Sequence, residues 1–247
     1  MRQLPWQKTL WRPEKIKHRN ILKNYRIPFP ELSLSQEDVL SEMGYKDIPP
    51  EPYLTEAIQE LWPILEREVT AECAFIIEEG AFMENAVVIR DIELHTGTTI
   101  TMLLENSIHF AVFAATAGKR FEEIINSVKK EGDMLKIYLM DMTGSCIAEK
   151  AGERMEKFLE EEISGYMHTN RFSPGYCGWP LTEQRKIFKL LGDNPCGISL
   201  SEVCLMTPIK SISGVVGIGE NVSRKLYACQ YCELETCYKK KERSTVL

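Results

Sequence analysis

The longest helical signal in this chain runs from Asp133 to Ser164, and any fold must accommodate it. At about 100° per residue, Leu135, Leu139, Met142 and Cys146 share one face. Beyond Gly144-Ser145 the apolar side moves. Ala148, Ala151, Met155, Phe158 and Leu159 lie on roughly the opposite side, while Glu149, Glu153, Glu156 and Glu160 continue the earlier face. Either the helix bends near Gly144 or its two ends bury different sides. Gly144, Ala148, Ala151 and Gly152 are small enough for another backbone or a ligand to approach closely.

Shorter signals surround this helix. Ser35 stands at an N-cap position with Asp38 three residues on, and Met43-Gly44 ends that helix. Pro49-Pro50 precedes an amphipathic helix to about Ala71, with Leu54, Ile58, Leu61 and Leu65 in register and Pro63 as a candidate kink. Strand-like runs follow at Cys73 to Ile77, Ala86 to Ile92 and Ile108 to Ala115. Helices are expected over residues 98–105, Lys119 to Lys130, and Thr182 to Leu191, the last with Thr182 as its cap and Gly192 as its stop. Val203 to Met206 and Ile212 to Ile218 read as strands around Pro208. Strands and helices do not alternate regularly, which favours an α+β fold over a doubly wound sheet. The expected divisions are an N-terminal arm (1–34), an α+β domain (35–220) and a cysteine-containing C-terminal segment with a basic tail (221–247).

The net charge of −6 argues against bulk attraction to nucleic acid. The basic run Lys239-Lys240-Lys241-Glu242-Arg243 reads as a solvated tail. No apolar run reaches the ~18 residues that span a bilayer, and no signal-peptide core is visible. The expectation is a cytoplasmic protein, without a membrane or nucleic-acid partner.

The stretch R-F-S-P-G-Y-C-G-W-P, Arg171 to Pro180, combines two glycines, two prolines and a single cation. Pro174 fixes its own backbone and biases Ser173 toward extension, while Gly175 and Gly178 permit tight turns. Tyr176 and Trp179 offer flat apolar faces with polar tips. Arg171 supplies a planar charge shaped for a carboxylate. Such a loop suits a ligand with a carboxylate and a planar ring; it equally suits a structural turn with Arg171 in a surface salt bridge.

The pattern R-x-S-P-G-Y-x-x-x-P, followed by a Gln-bearing helix, resembles the S-adenosylmethionine-binding motif of the reactivation domain of cobalamin-dependent methionine synthases. Further matches come in consistent order over roughly residues 36–240. They are Met43-Gly44-Tyr45, the run from Val112 to Gly118, Gly132-Asp133, Gly144-Ser145, Ser199-Leu200-Ser201-Glu202, and Met206-Thr207-Pro208-Ile209-Lys210-Ser211-Ile212-Ser213-Gly214. One departure is Trp179, where the commoner pattern has a cysteine; here the cysteine is Cys177.

The resemblance implies a mixed, mainly antiparallel central sheet with long flanking helices. It implies S-adenosylmethionine as ligand, with cobalamin carried by a separate corrinoid partner and a flavodoxin or ferredoxin as electron donor. Carried over by motif, Arg171 would hold the methionyl carboxylate. The backbone from Ser173 through Pro174 to Gly175 would meet the adenosine part, Tyr176 would flank it, and Glu149 and Glu153 would face the sulfonium or cobalamin side. The chain lacks the Asp-x-His-x-x-Gly signature of a cobalamin module, and D-I-E-L-H-T-G around His95 has the wrong spacing. The resulting expectation is a free-standing activator acting in trans, an accessory of the methyltransferase class.

Cys229, Cys232 and Cys237 form C-x2-C-x4-C, a strong metal signal that lacks a fourth ligand. Cys177, Cys196 or Cys204 could complete it, around zinc or an iron–sulfur cluster. A competing reading is therefore a metal-stabilised module that chaperones a corrinoid protein without chemistry. A conventional small-molecule methyltransferase is disfavoured, because no glycine-rich strand–loop–helix start is present.

Overall fold

A computed structural model describes residues 21–46 and 48–225. The described chain begins with strand β1 (Lys23–Pro28), inside the segment expected as an arm. Ser35 then caps α1 (Gln36–Glu42) through a reciprocal box: the Asp38 amide donates to Ser35 Oγ at 3.1 Å and the Ser35 amide donates to Asp38 Oδ2 at 2.9 Å. Helix α2 (Pro52–Glu68) starts on a proline and continues through Pro63. It stops short of the expected Ala71 because Thr70 and Ala71 already belong to β2 (Thr70–Met83), a strand much longer than its apolar centre.

The single run expected over Ala86 to Ile92 is two strands, β3 (Ala86–Ile89) and β4 (Ile92–Leu94), turned at Arg90 with φ +55°. Helix α3 (Gly97–Leu103) and the fully buried β5 (His109–Thr116) follow. Helix α4 (Lys119–Glu131) lies between Gly118 and Gly132. The long helix α5 (Met134–Glu162) is capped by Asp133, whose Oδ1 accepts from the Leu135 and Lys136 amides. Strand β6 (Met167–Phe172) carries no apolar alternation. Helix α6 (Gln184–Leu191) ends at Gly192 as expected, but Thr182 does not cap it; Leu181–Glu183 form a 3-10 turn ahead of it. Short strands β7 (Ser199–Leu200) and β8 (Met206–Thr207) pair with each other, and β9 (Ser211–Gly219) closes the order.

Among the described residues the main sheet runs β4-β3-β2-β5-β9-β6, with β1 also on β2, and every pairing is antiparallel. The fold is α+β, as expected. Successive side chains of β5 alternate between two cores. Ala111, Phe113 and Ala115 join the core under α1, α2, α4 and α5, with Phe75, Ile147, Met155, Val216 and Ile218. Phe110, Val112 and Ala114 join the core under α3 and α6, with Leu103, Trp179, Ile187 and Leu190. Each such large side chain contributes about 1.5–3 kcal/mol by burial.

Helix α5 is continuous through Gly144, so its two ends do bury different sides. The buried row Leu139, Thr143, Ile147, Ala151, Met155, Leu159 advances four residues per step, and each step turns it by about 40°. A second buried row, Met140, Gly144, Ala148, Gly152, Glu156, winds beside it. No described helix is long and apolar enough to cross a membrane.

Strand β6 pairs with β9 and is bulged between His168 and Arg171, where its register advances three residues against two. Thr169 Oγ1 accepts the Gly217 amide at 2.9 Å and so satisfies the donor that the bulge displaces. On the other side of β6, the Asn170 carboxamide donates to the Lys225 carbonyl at 3.0 Å and accepts from the Lys225 amide at 2.9 Å.

Candidate functional site

Arg171 stands on β6, not in the following loop, and the bulge decides where it points. His168 faces α5, where its Nε2 lies 3.1 Å from Glu160 Oε1. In a regular strand a residue three places on faces the opposite side. The inserted residue restores the parity, so Arg171 opposite Val216 faces α5 as His168 opposite Ile218 does. Both strand partners belong to the core beneath that helix.

The guanidinium lies directly over Gly152. A Cβ at that position would come within 1.6 Å of Arg171 Nη1, which makes the missing side chain of Gly152 the seat of the cation. Two carboxylates flank it. Glu149 Oε2 is 3.1 Å from Nη2, and the Glu149 carbonyl is 3.4 Å from Nη1. Glu156 Oε1 is 3.7 Å from Nε. Glu149, Gly152 and Glu156 stand at i, i+3 and i+7 of α5 and share one side of it. The Arg171 side chain is 18% exposed, Glu149 59% and Glu156 9%, so the cation has an outer and an inner acid. Two turns earlier the Phe121 ring and the aliphatic stem of Lys210 lie against Gly144, and the Lys210 Nζ is 2.9 Å from Asp141 and 3.0 Å from Ser145 Oγ.

The inner acid is shared. Arg224 Nη2 lies 3.3 Å from Glu156 Oε2 and 3.5 Å from Glu160 Oε1. Burial pushes the Glu156 carboxyl above the ordinary carboxylate range, while Arg171, Arg224 and His168 pull it back.

The loop after Arg171 is built as the prolines and glycines dictate. Its turn is held by the Gly175 amide donating to the Trp179 carbonyl at 2.7 Å and the Trp179 amide donating to the Tyr176 carbonyl at 2.9 Å. Gly175 and Gly178 both have positive φ. Pro174 is buried, Ser173 half-buried, and Tyr176 is 68% exposed with its ring toward solvent. Trp179 corrects the sequence reading: it is 1% exposed and packs under α3 and α6, so its ring is a core group and offers no ligand face. Gly214 lets the end of β6 lie against β9, since a Cβ there would meet the Phe172 carbonyl oxygen at 2.0 Å.

Of the acidic residues named from sequence, Glu149 joins Arg171, whereas Glu153 pairs with Lys150 at 3.1 Å. Glu156 and Gly152 were read from sequence as part of an acidic face and a small-residue stripe, without a role at Arg171; their spacing from Glu149 was the available signal. Cys229, Cys232 and Cys237 lie outside the described residues. Among the described residues no group of three or more His, Cys, Asp or Glu could hold a metal ion. Cys204 is buried and Cys196 half-buried, with its thiol pushed up by burial.

Comparison with known proteins adds three findings. The family described as "Vitamin B12 dependent methionine synthase, activation domain" matches residues 102–243. No curated protein sequence matches the chain. Among solved structures, the MetH reactivation domain bound to AdoHcy superposes with a TM-score of 0.66 at 15% identity, over 91% of this chain and 85% of that one. At that identity the likeness is one of fold.

Proposed function

This chain belongs to the family of vitamin B12-dependent methionine synthase activation domains, and on that premise we propose that it binds S-adenosylmethionine and presents it to a separate cytoplasmic corrinoid protein. The partner is a methionine synthase core without its own activation domain, and the methylation is coupled to one electron from a flavodoxin or ferredoxin. The observation that carries this reading is Arg171, re-aimed by a strand bulge and seated over Gly152 with carboxylates already on its donors. A guanidinium so placed fits the carboxylate of an amino-acid ligand.

S-adenosylmethionine, when bound, supplies an electrophilic methyl group on a cationic sulfonium. The chain's residues position and do not react. Arg171 grips the ligand carboxylate. The backbone of Ser173, Pro174 and Gly175 lines the adenosine side, and the exposed ring of Tyr176 closes over it. Glu149 and Glu153, both on the exposed side of α5, offset the positive charge of the ligand. Residues 35–220 hold the ligand site, joined by β1 (Lys23–Pro28) from the segment before it and by Arg224 from the segment after it, and Cys229, Cys232 and Cys237 of that C-terminal segment take zinc or an iron–sulfur cluster.

Titration calorimetry with S-adenosylmethionine tests the ligand assignment. Arg171→Ala is expected to lose about 2 kcal/mol, roughly thirtyfold in Kd. Equal affinity in both proteins removes Arg171 from the site. Anaerobic pull-down from native extract, followed by corrinoid and metal assay, tests the partner and the cysteines. A visible absorbance band indicates a cluster, and a colourless protein with stoichiometric zinc rejects it.

A further inference from the structure

We propose that Glu149 is an internal competitor for the ligand's carboxylate, so that binding at Arg171 is an exchange of one carboxylate for another; this rests on the ligand reading given above. Three observations carry it. Glu149 already occupies Arg171 Nη2 at 3.1 Å, one of the donors that a ligand carboxylate needs. The two acids on Arg171 differ sharply in burial, 59% against 9% exposed, so the outer one leaves at the smaller desolvation cost. The inner one is held from a second side by Arg224 at 3.3 Å, and so Arg171 keeps an anchor while its outer partner changes.

The exchange has a consequence for specificity. When the ligand carboxylate takes Nη2, Glu149 is released as a free anion next to the ligand. S-adenosylmethionine carries a sulfonium cation that S-adenosylhomocysteine lacks, so the released carboxylate recovers a partner with the first ligand and less of one with the second. Glu149 thus penalises the demethylated product more than the methyl donor. It is a specificity-determining residue and takes no part in the chemistry.

The test is calorimetric titration of the full chain with each of the two ligands, comparing wild type, Glu149→Gln, Arg171→Ala, and Glu161→Gln as a control for net charge. Glu149→Gln keeps the size and removes the charge at an exposed position. It is expected to tighten S-adenosylhomocysteine about three- to tenfold, and S-adenosylmethionine by a smaller factor. Glu161→Gln changes both by less than about twofold. If Glu149→Gln leaves S-adenosylhomocysteine binding unchanged or weaker while Arg171→Ala weakens it about thirtyfold, the exchange is wrong and the ligand site stands. If the wild type binds neither ligand, both fall.

Discussion

Gly152→Ala separates folding from binding. In an ordinary helix interior this change stabilises by about 0.5–1 kcal/mol, because glycine loses more backbone freedom on folding. Here the added Cβ would stand 1.6 Å from Arg171 Nη1 and 2.7 Å from Ile212 Cδ1. Both atoms are the far ends of flexible side chains, and they can move without shifting the backbone. What the fold loses is the partly exposed pair with Glu149, worth about 0–1 kcal/mol, while Glu156 keeps Arg224. These terms nearly cancel, so unfolding stability changes by no more than about 1 kcal/mol. The guanidinium, however, must leave its seat, and on the proposed assignment a charge-assisted contact to the ligand is expected to go with it, about 2 kcal/mol or thirtyfold in Kd. Urea denaturation and calorimetry with S-adenosylmethionine read the two quantities on one preparation. A variant of unchanged stability that binds within about threefold of wild type would refute the idea that this seat sets the site.

Gly214→Ala is the counterpart with the opposite signature. Its Cβ would meet backbone, the Phe172 oxygen at 2.0 Å, and we expect a loss of about 1–3 kcal/mol or more in denaturant unfolding. Glu156 gives a pH signature. Its carboxyl is raised in the folded state, chiefly by burial, so the native protein binds its proton more readily than the unfolded chain. Its contribution to stability is therefore most favourable in acid and declines as pH rises from the ordinary carboxylate range through the raised value. Chemical denaturation from pH 4 upward, comparing wild type with Glu156→Gln, should show that decline reduced in the variant.

The elements read correctly from sequence are those whose signals are local. The Ser35–Asp38 box, the Gly192 stop, the buried β5 and the full length of α5 each depend on a short window of residues. Strand β1 escaped because its alternation is carried by Tyr25 and Ile27 alone, and β6 because M-H-T-N-R-F carries none; their strand character comes from the ladders of β2 and β9. Losing β6 also moved Arg171 into a loop and hid the bulge that aims it. Trp179 was misplaced because an aromatic between a glycine and a proline reads as a surface ring, whereas α3 and α6 close over it. Glu156 was grouped by spacing with Glu149, Glu153 and Glu160 as one acidic face. Glu149, Glu153 and Glu160 do stay exposed, but the second buried row turns with each four-residue step and takes in Glu156 alone of the four.

The Asn170 amide has a consequence for self-association. A strand on the rim of a sheet exposes peptide groups that a second chain can adopt as a template. At Asn170 a side chain imitates a peptide unit, giving one bond and taking one, and the neighbour it engages is Lys225 of the same molecule. The strand that carries Arg171 can thus remain at the periphery, reachable by a large partner, while its ladder is closed at that point to strand-by-strand polymerisation.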